Sequence, residues 1–360
     1  MSFLTSIGID WIVAIQSLGG WLKLPMEFFT IFHGQYIFFL VVPLLYWSVD
    51  TKSGLRIALL LGTSQYLNAI FKLWFAAPRP YWISARVKYL QDEGPSGDGS
   101  FGIPSGHAQE AAVLWGALAA CVPGRKRWVW MAAFSFTFLI GFSRLYLGVH
   151  FVHDVLAGWL IGYAILFASL RFWDPIAAWL KTKTLAQQVL IAFVISLTMI
   201  AVGGWSAARL SGYVFPVEWS VNVLRVGLLP DPISIDNIIK SAGSLFGLAA
   251  GAAWIASRGG YEASGRIEKR AVRYLIGMIG IVILWEGLGK VFPRGETLLP
   301  LILLYIRHSL VGLWLTAGAP WLFLYFKLAD KPQSAAGGPG DSDEPIAMNA
   351  VRKKLESPGG

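Results

Sequence analysis

Three short stretches carry charge and imidazole in a chain that is otherwise poor in both. Lys72 is followed after six residues by Arg79-Pro80; Pro104-Ser105-Gly106-His107 comes next; Ser143-Arg144 then leads to His150 and Asp154. Lys72, Arg79 and Arg144 are fixed cations, and a buried group of cations is costly unless an anion neutralises it. The arginine fork gives a tetrahedral oxyanion two parallel hydrogen bonds. Ser105 and Gly106 precede a predicted helix, so their N–H groups and the helix N-terminus can cradle the same anion. Phosphate fits this set. His150 and Asp154 are four apart, a spacing that lets one helical face carry both, so that the carboxylate fixes the tautomer of the ring and raises its basicity. That is what a nucleophilic imidazole needs. His107 is then left to protonate the leaving oxygen. Two histidines with separate roles and no metal imply a double displacement through a phosphohistidine.

The elements that must position these groups are membrane helices. Of the 360 residues, 55% are hydrophobic and only 14% charged, against about 25% charged in a soluble domain. The 17 tryptophans suit a membrane–water interface. Cys121 is the single cysteine, which excludes an intramolecular disulfide and a cysteine-based zinc cluster. In such a chain the net charge of +9 points to basic cytoplasmic loops rather than to nucleic acid. Stretches of about 20 apolar residues predict an all-α, polytopic membrane helix bundle of about nine transmembrane helices. They lie at 27–48, 57–77, 108–122, 128–147, 152–172, 185–205, 238–257, 272–291 and 301–326. Residues 1–26 read as an interfacial N-terminal segment, 27–173 as a five-span catalytic core, 174–330 as a four-span region and 331–360 as a disordered cytoplasmic tail. Residues 173–184 read as a linker between the halves. The basic loops place the N-terminus outside and the C-terminus in the cytoplasm. No basic region and small-residue cleavage site mark a signal peptide, so the first span is expected to drive insertion. The long loop 78–107 and the turn 144–154 then face the same outer compartment.

The three stretches match K-x6-R-P, P-S-G-H and S-R-x5-H-x3-D at every defining position. The chain thereby resembles the type 2 phosphatidic acid phosphatase superfamily over roughly residues 27–172. The resemblance implies a metal-independent phosphatase without a cofactor. His150 would be its nucleophile, Asp154 the orienting partner and His107 the general acid. Lys72, Arg79, Ser105, Gly106 and Arg144 would bind phosphate and stabilise the charge of the transition state.

A site at the outer boundary of a cell (inner) membrane favours a lipid phosphate or lipid pyrophosphate as substrate, with Trp74, Tyr81 and Trp82 lining its entrance. A sugar phosphate is the alternative, because the layout is also similar to glucose-6-phosphatase. A phospholipid head-group transporter would use the cations but has no use for an oriented nucleophile. In the second half, loop 207–237 is long enough to cover the site. Glu286 and Lys290 stand four apart on one face of the eighth span, and Arg307 and His308 lie near the start of the ninth. These four read either as a structural ion pair or as an extension of the pocket toward a polar substrate group. Glu110, one turn after His107, tunes that histidine or caps its helix, and His153 reads as a bystander on the face opposite Asp154.

Overall fold

The computed structural model describes residues 3–31, 35–91, 99–124, 126–228 and 231–332. Among them it contains helices and no strand. In chain order they are α1 (Phe3–Gln16), α2 (Lys23–Ile31), α3 (Gln35–Ser48), α4 (Thr51–Phe75), α5 (Pro80–Ile83), α6 (Gly106–Cys121) and α7 (Arg127–Tyr146). There follow α8 (Val152–Lys181), α9 (Leu185–Ala208), α10 (Val217–Arg225), α11 (Asp236–Ser257), α12 (Ile267–Val291) and α13 (Leu298–Tyr325). Six of these, α7, α8, α9, α11, α12 and α13, are long and apolar enough to cross a membrane. The protein is therefore an all-helical membrane protein with several spans. The other three predicted spans fall on α2 with α3, on α4 and on α6. α4 has the length but carries Lys52, Arg56 and Lys72. α6 has only 16 residues. α2 and α3 lie on either side of residues 32–34 and have different neighbours, α7 for the first and α4 with α12 for the second. The predicted tail beyond Pro332 lies outside the described residues.

Two expectations about the halves change. The linker read at 173–184 is mostly helix, because α8 continues through Pro175 to Lys181. Proline removes one backbone donor, and residues such as Ala177, Ala178 and Leu180 carry the helix on past it. The chain turns only at Thr184, whose hydroxyl accepts from the Gln187 N–H and caps α9. The two predicted regions also share one core. Trp47, Leu61 and Val113 from the first pack with Leu248, Ile281 and Phe323 from the second. Side-chain bonds cross the same seam: Trp47 Nε1 donates to the Leu315 carbonyl at 2.8 Å and Tyr46 Oη to that of Thr316 at 3.1 Å.

Small residues decide which helices touch. Between membrane helices, attraction depends on close packing rather than on expelling water, so glycines gather at contacts. Gly243, Gly247 and Gly251 of α11 meet Tyr305, Ser309 and Thr316 of α13 in rising order, so the two helices run parallel. On α8, Gly158 lies against the Ser105 carbonyl and Gly162 against the Gln109 carbonyl, which draws α8 onto the start of α6.

A second core cluster caps the end of the bundle where the three motifs lie. Ile9 and Ile12 of α1, Tyr81 and Trp82 of α5, and Val223 and Leu228 at and beyond α10 are buried together. The Trp82 ring packs on Phe215 at 5.2 Å and Trp219 at 6.3 Å, and Asn222 Nδ2 donates to the Trp82 carbonyl at 3.0 Å. Tyr81 and Trp82 are thus buried structural aromatics rather than entrance residues, because loop 207–237 folds α10 over them. Trp74 stays half-exposed and donates to Ser206 Oγ at 3.0 Å.

Candidate active site

α4 delivers Lys72 in its last turn and ends at Ala76, which takes a left-handed conformation (φ 45°) and returns its N–H to the Lys72 carbonyl at 2.9 Å. That turn reverses the chain so that Arg79 points back beside Lys72. The two cations meet on Ser100. Lys72 Nζ donates to Ser100 Oγ at 2.5 Å, and Arg79 donates from Nη2 to the same oxygen at 3.2 Å and from Nε to the Ser100 carbonyl at 2.7 Å. Both cations are buried. Arg79 Nη1 also reaches the Val149 carbonyl, beside His150, at 3.5 Å.

The third motif is built on a turn between α7 and α8. Gly148 at its centre has φ 76°, and a Cβ there would lie 2.4 Å from the Lys88 carbonyl, so the turn needs glycine twice over. α8 starts only at Val152, after His150. The His150–Asp154 pair is therefore not made on one helical face, as their spacing suggested, but by N-terminal capping. Asp154 is the third residue of α8 and folds its carboxylate back. Its Oδ2 accepts from the Phe151 N–H at 2.9 Å and lies 3.2 Å from His150 Nδ1. The capping bond fixes the carboxylate and the carboxylate fixes the ring. The tautomer this favours places the lone pair on Nε2. Both side chains are almost fully buried.

The second motif docks directly on the third. The Ser105 N–H donates to the Asp154 carbonyl at 2.9 Å, and Ser105 Oγ accepts from the Ala108 N–H as the N-cap of α6. The Ser105 amide is thus already committed within the protein. Gly102 is pressed between the Pro78 carbonyl and Asp154, where a Cβ would lie 2.9 Å from one and 3.1 Å from Oδ2 of the other. Loop residues 100–105 therefore tie all three motifs into one unit.

Several positioning residues lie outside the three motifs. Arg144 is held by Gln91 Oε1 on Nη2 and by Thr30 Oγ1 on Nη1 at 3.3 Å. Beneath the second motif, Asn68 Nδ2 donates to the Pro104 carbonyl at 3.2 Å and to Gln109 Oε1 at 3.1 Å. Gln109 Nε2 then donates to the Ser64 carbonyl at 2.7 Å and to Ser64 Oγ at 2.9 Å. All three side chains are buried. A satisfied polar network at that depth locks α4 to α6. Asparagine, glutamine and serine within apolar helices were the available clue. Glu110 receives a hydrogen bond from Gln65 and faces the same cavity as His107. His153 Nε2 lies 3.2 Å from Asp154 Oδ1 without making a hydrogen bond to it, and its ring stacks on Phe151.

A cavity of about 650 Å³ opens on this unit. Lys72, Ser100, Gly106 and His107 line one end of it, whereas Arg79, Ser105, Arg144, His150 and Asp154 lie buried behind them. The remainder is lined from α3, α4 and α6, from segments 232–234 and 292–295, and from α11, α12 and α13.

Two family profiles match this chain, one described as the PAP2 superfamily over residues 53–178, the other as the PAP2 superfamily phosphatase, transmembrane extension, over residues 239–331. The chain belongs to the PAP2 superfamily. Among its PAP2 relatives, phosphatidylglycerophosphatase B of Bacillus subtilis is 34% identical over 133 residues, which are 35% of this chain and 61% of that protein. The undecaprenyl-diphosphatase of Sulfolobus acidocaldarius is 31% identical over 147 residues, 41% of this chain and 68% of its own. Glucose-6-phosphatase catalytic subunit 1 of Haplochromis nubilus is 24% identical but aligns over 242 residues, 59% of this chain and 66% of its own. The chain thus spans about three fifths to two thirds of the length of these three relatives.

Proposed function

We propose that this protein is an integral-membrane phosphatase that hydrolyses a lipid phosphate or lipid pyrophosphate without a metal ion, through a phosphohistidine on His150. The observation that carries the reading is the buried chain from the Phe151 N–H through Asp154 Oδ2 to His150 Nδ1, with Arg79 bonded to the Val149 carbonyl beside it. A binding site alone needs the cations; only chemistry needs an imidazole held in one tautomer.

In the first step His150 Nε2 attacks phosphorus and the bond to the leaving oxygen breaks, with His107 giving that oxygen a proton. In the second, water attacks phosphorus, the P–N bond breaks, and His107 takes the proton of the water. Inorganic phosphate leaves and His150 is restored. Lys72, Arg79, Arg144 and the amides at the start of α6 stabilise the charge on the equatorial oxygens. Burial strengthens those interactions because little water competes.

The two relatives above 30% identity, named for phosphatidylglycerophosphate and undecaprenyl diphosphate, support a lipid substrate. The longer but weaker alignment with glucose-6-phosphatase supports a sugar phosphate as the second reading. The apolar stretches support nine spans, and the positive-inside pattern supports an outer N-terminus, a cytoplasmic C-terminus and an inner-membrane site facing the periplasm or exterior.

Phosphate release by protein purified in detergent with excess EDTA tests the proposal. The substrates are phosphatidate, phosphatidylglycerophosphate, undecaprenyl pyrophosphate and glucose 6-phosphate, each beside His150→Ala. Release from a lipid that the variant abolishes is the expected result. Release chiefly from glucose 6-phosphate overturns the lipid assignment and keeps the mechanism. Release that survives His150→Ala, or that EDTA abolishes, overturns the mechanism.

A further inference from the structure

The catalytic cavity is much larger than a phosphate group requires. Its volume of about 650 Å³ lies within the roughly 300–1,000 Å³ that encloses a whole drug-sized ligand. The end away from Lys72 and His107 is lined from the transmembrane extension, by Lys240 on α11, by Trp285 and Gly289 on α12, and by Arg307 and His308 on α13.

Arg307 stands out in that wall. It lies nine residues beyond Leu298, the first residue of α13, which at about 1.5 Å per residue is roughly 14 Å along the helix. Among the described residues it has no ion pair within 4 Å and no hydrogen bond; Glu286 acts on it only at longer range, its Cζ lies 4.5 Å from the centroid of the Trp285 ring, and its Nε is buried without a partner. A guanidinium at such depth in a membrane protein is expensive unless it faces a polar cavity and an anion. The fold makes room for it. A Cβ at Gly289 would lie 2.8 Å from Arg307 Cζ, so glycine there lets the guanidinium lie flat on α12. The five-residue π turn Ile283–Gly287 presents Trp285 beneath it. That turn also explains why Glu286 and Lys290 form no ion pair among the described residues: it breaks the register in which residues four apart share a face.

His308 is an independent pointer to a ligand. It is only 4% exposed, lines the cavity, and its Nδ1 lies 3.5 Å from Ser244 Oγ. Its Nε2 is buried with no partner, and an unsatisfied buried polar group of this kind costs stability. Lys240, paired at 4.0 Å with Asp236, and Arg294 add positive charge to the same wall. The described lining carries four cations against the two carboxylates of Glu110 and Asp236.

We propose that Arg307 and His308 form a second anion subsite within the catalytic cavity, which grips a negatively charged group on the leaving portion of the substrate. The inference rests on the phosphatase reading above and narrows it. Substrates whose leaving group carries a further phosphate, as a phosphodiester or within a diphosphate, are preferred over those whose leaving group is neutral. The transmembrane extension is then the part of the chain that selects the substrate.

The test compares phosphatidylglycerophosphate, whose leaving portion keeps a phosphodiester, with phosphatidate, whose leaving portion is neutral diacylglycerol. Wild type, Arg307→Gln, Arg307→Lys and His308→Phe are assayed in mixed micelles. Arg307→Gln is expected to raise KM for phosphatidylglycerophosphate about ten- to hundredfold, the worth of one charge-assisted bond, with kcat little changed. Phosphatidate turnover stays within about twofold of wild type, which also certifies that the variant is folded. Arg307→Lys restores part of the loss, and His308→Phe repeats it more weakly. An equal loss on both lipids makes Arg307 a structural residue and overturns the subsite; no loss on either does the same. If the wild type hydrolyses neither lipid, the lipid-phosphate reading falls and the subsite falls with it, while phosphate release from glucose 6-phosphate would still keep the mechanism.

Discussion

Replacing Gly158 by alanine probes the joint between the second and third motifs with a single methyl group. Gly158 lies one turn beyond Asp154 on α8, and an added Cβ would sit 2.6 Å from the Ser105 carbonyl oxygen, 3.1 Å from Ala108 Cβ and 3.1 Å from the Gln109 N. Ordinary contact begins at 3.4 Å, so the first approach is 0.8 Å too close. Two of the three atoms are backbone and cannot swing aside. The relief must come from α6 and α8 moving apart, at the level where the Ser105 N–H holds the Asp154 carbonyl. Overpacking of this kind costs about 1–3 kcal/mol. The larger effect is catalytic: a shift approaching 1 Å between His107 and His150 is expected to lower turnover by about 10²-fold. Phosphate release from the preferred lipid measures kcat, and circular dichroism with a melting curve reports the fold. Gly204→Ala on α9, where a Cβ meets nothing within 4 Å, serves as the control. It should leave activity intact and gain up to about 1 kcal/mol, because alanine restricts the unfolded chain. Wild-type turnover in Gly158→Ala would refute the rigid coupling of the two motifs.

Asp154→Asn keeps the volume of the side chain but removes the charge that orients His150. Turnover should fall by about 10³- to 10⁴-fold with little change in KM, and trapping of acid-labile phosphoprotein after rapid quench should fall in parallel. Trp82→Ala empties the aromatic cap under α10 and is expected to cost about 3–5 kcal/mol, seen as a lowered melting temperature. Trp128→Ala, at a residue 65% exposed, should cost far less.

Much of this protein is legible without coordinates. Hydrophobic runs longer than a soluble core needs identify membrane helices, since the bilayer demands length and continuity that composition records directly. The three motifs pick out Lys72, Arg79, Ser105, Gly106, His107, Arg144, His150 and Asp154, because ionisable residues are rare in such a chain and their presence demands a purpose. Only the tertiary structure decides how they are held. The His150–Asp154 bond depends on capping geometry at the start of α8, which a four-residue spacing imitates but does not specify. Ser100, Gln91 and Thr30 receive the cations from parts of the chain distant in sequence, and serine, glutamine and threonine are too common to announce such a role. Tyr81 and Trp82 read as membrane-surface aromatics until α10 is seen to bury them. The union of both halves around one cavity is likewise invisible in the linear order. It arises where Gly62 of α4 receives Leu245 of α11 and Gly277 of α12 receives Trp47 of α3, and close approach between helices is a property of pairs of surfaces, which no single stretch of sequence contains.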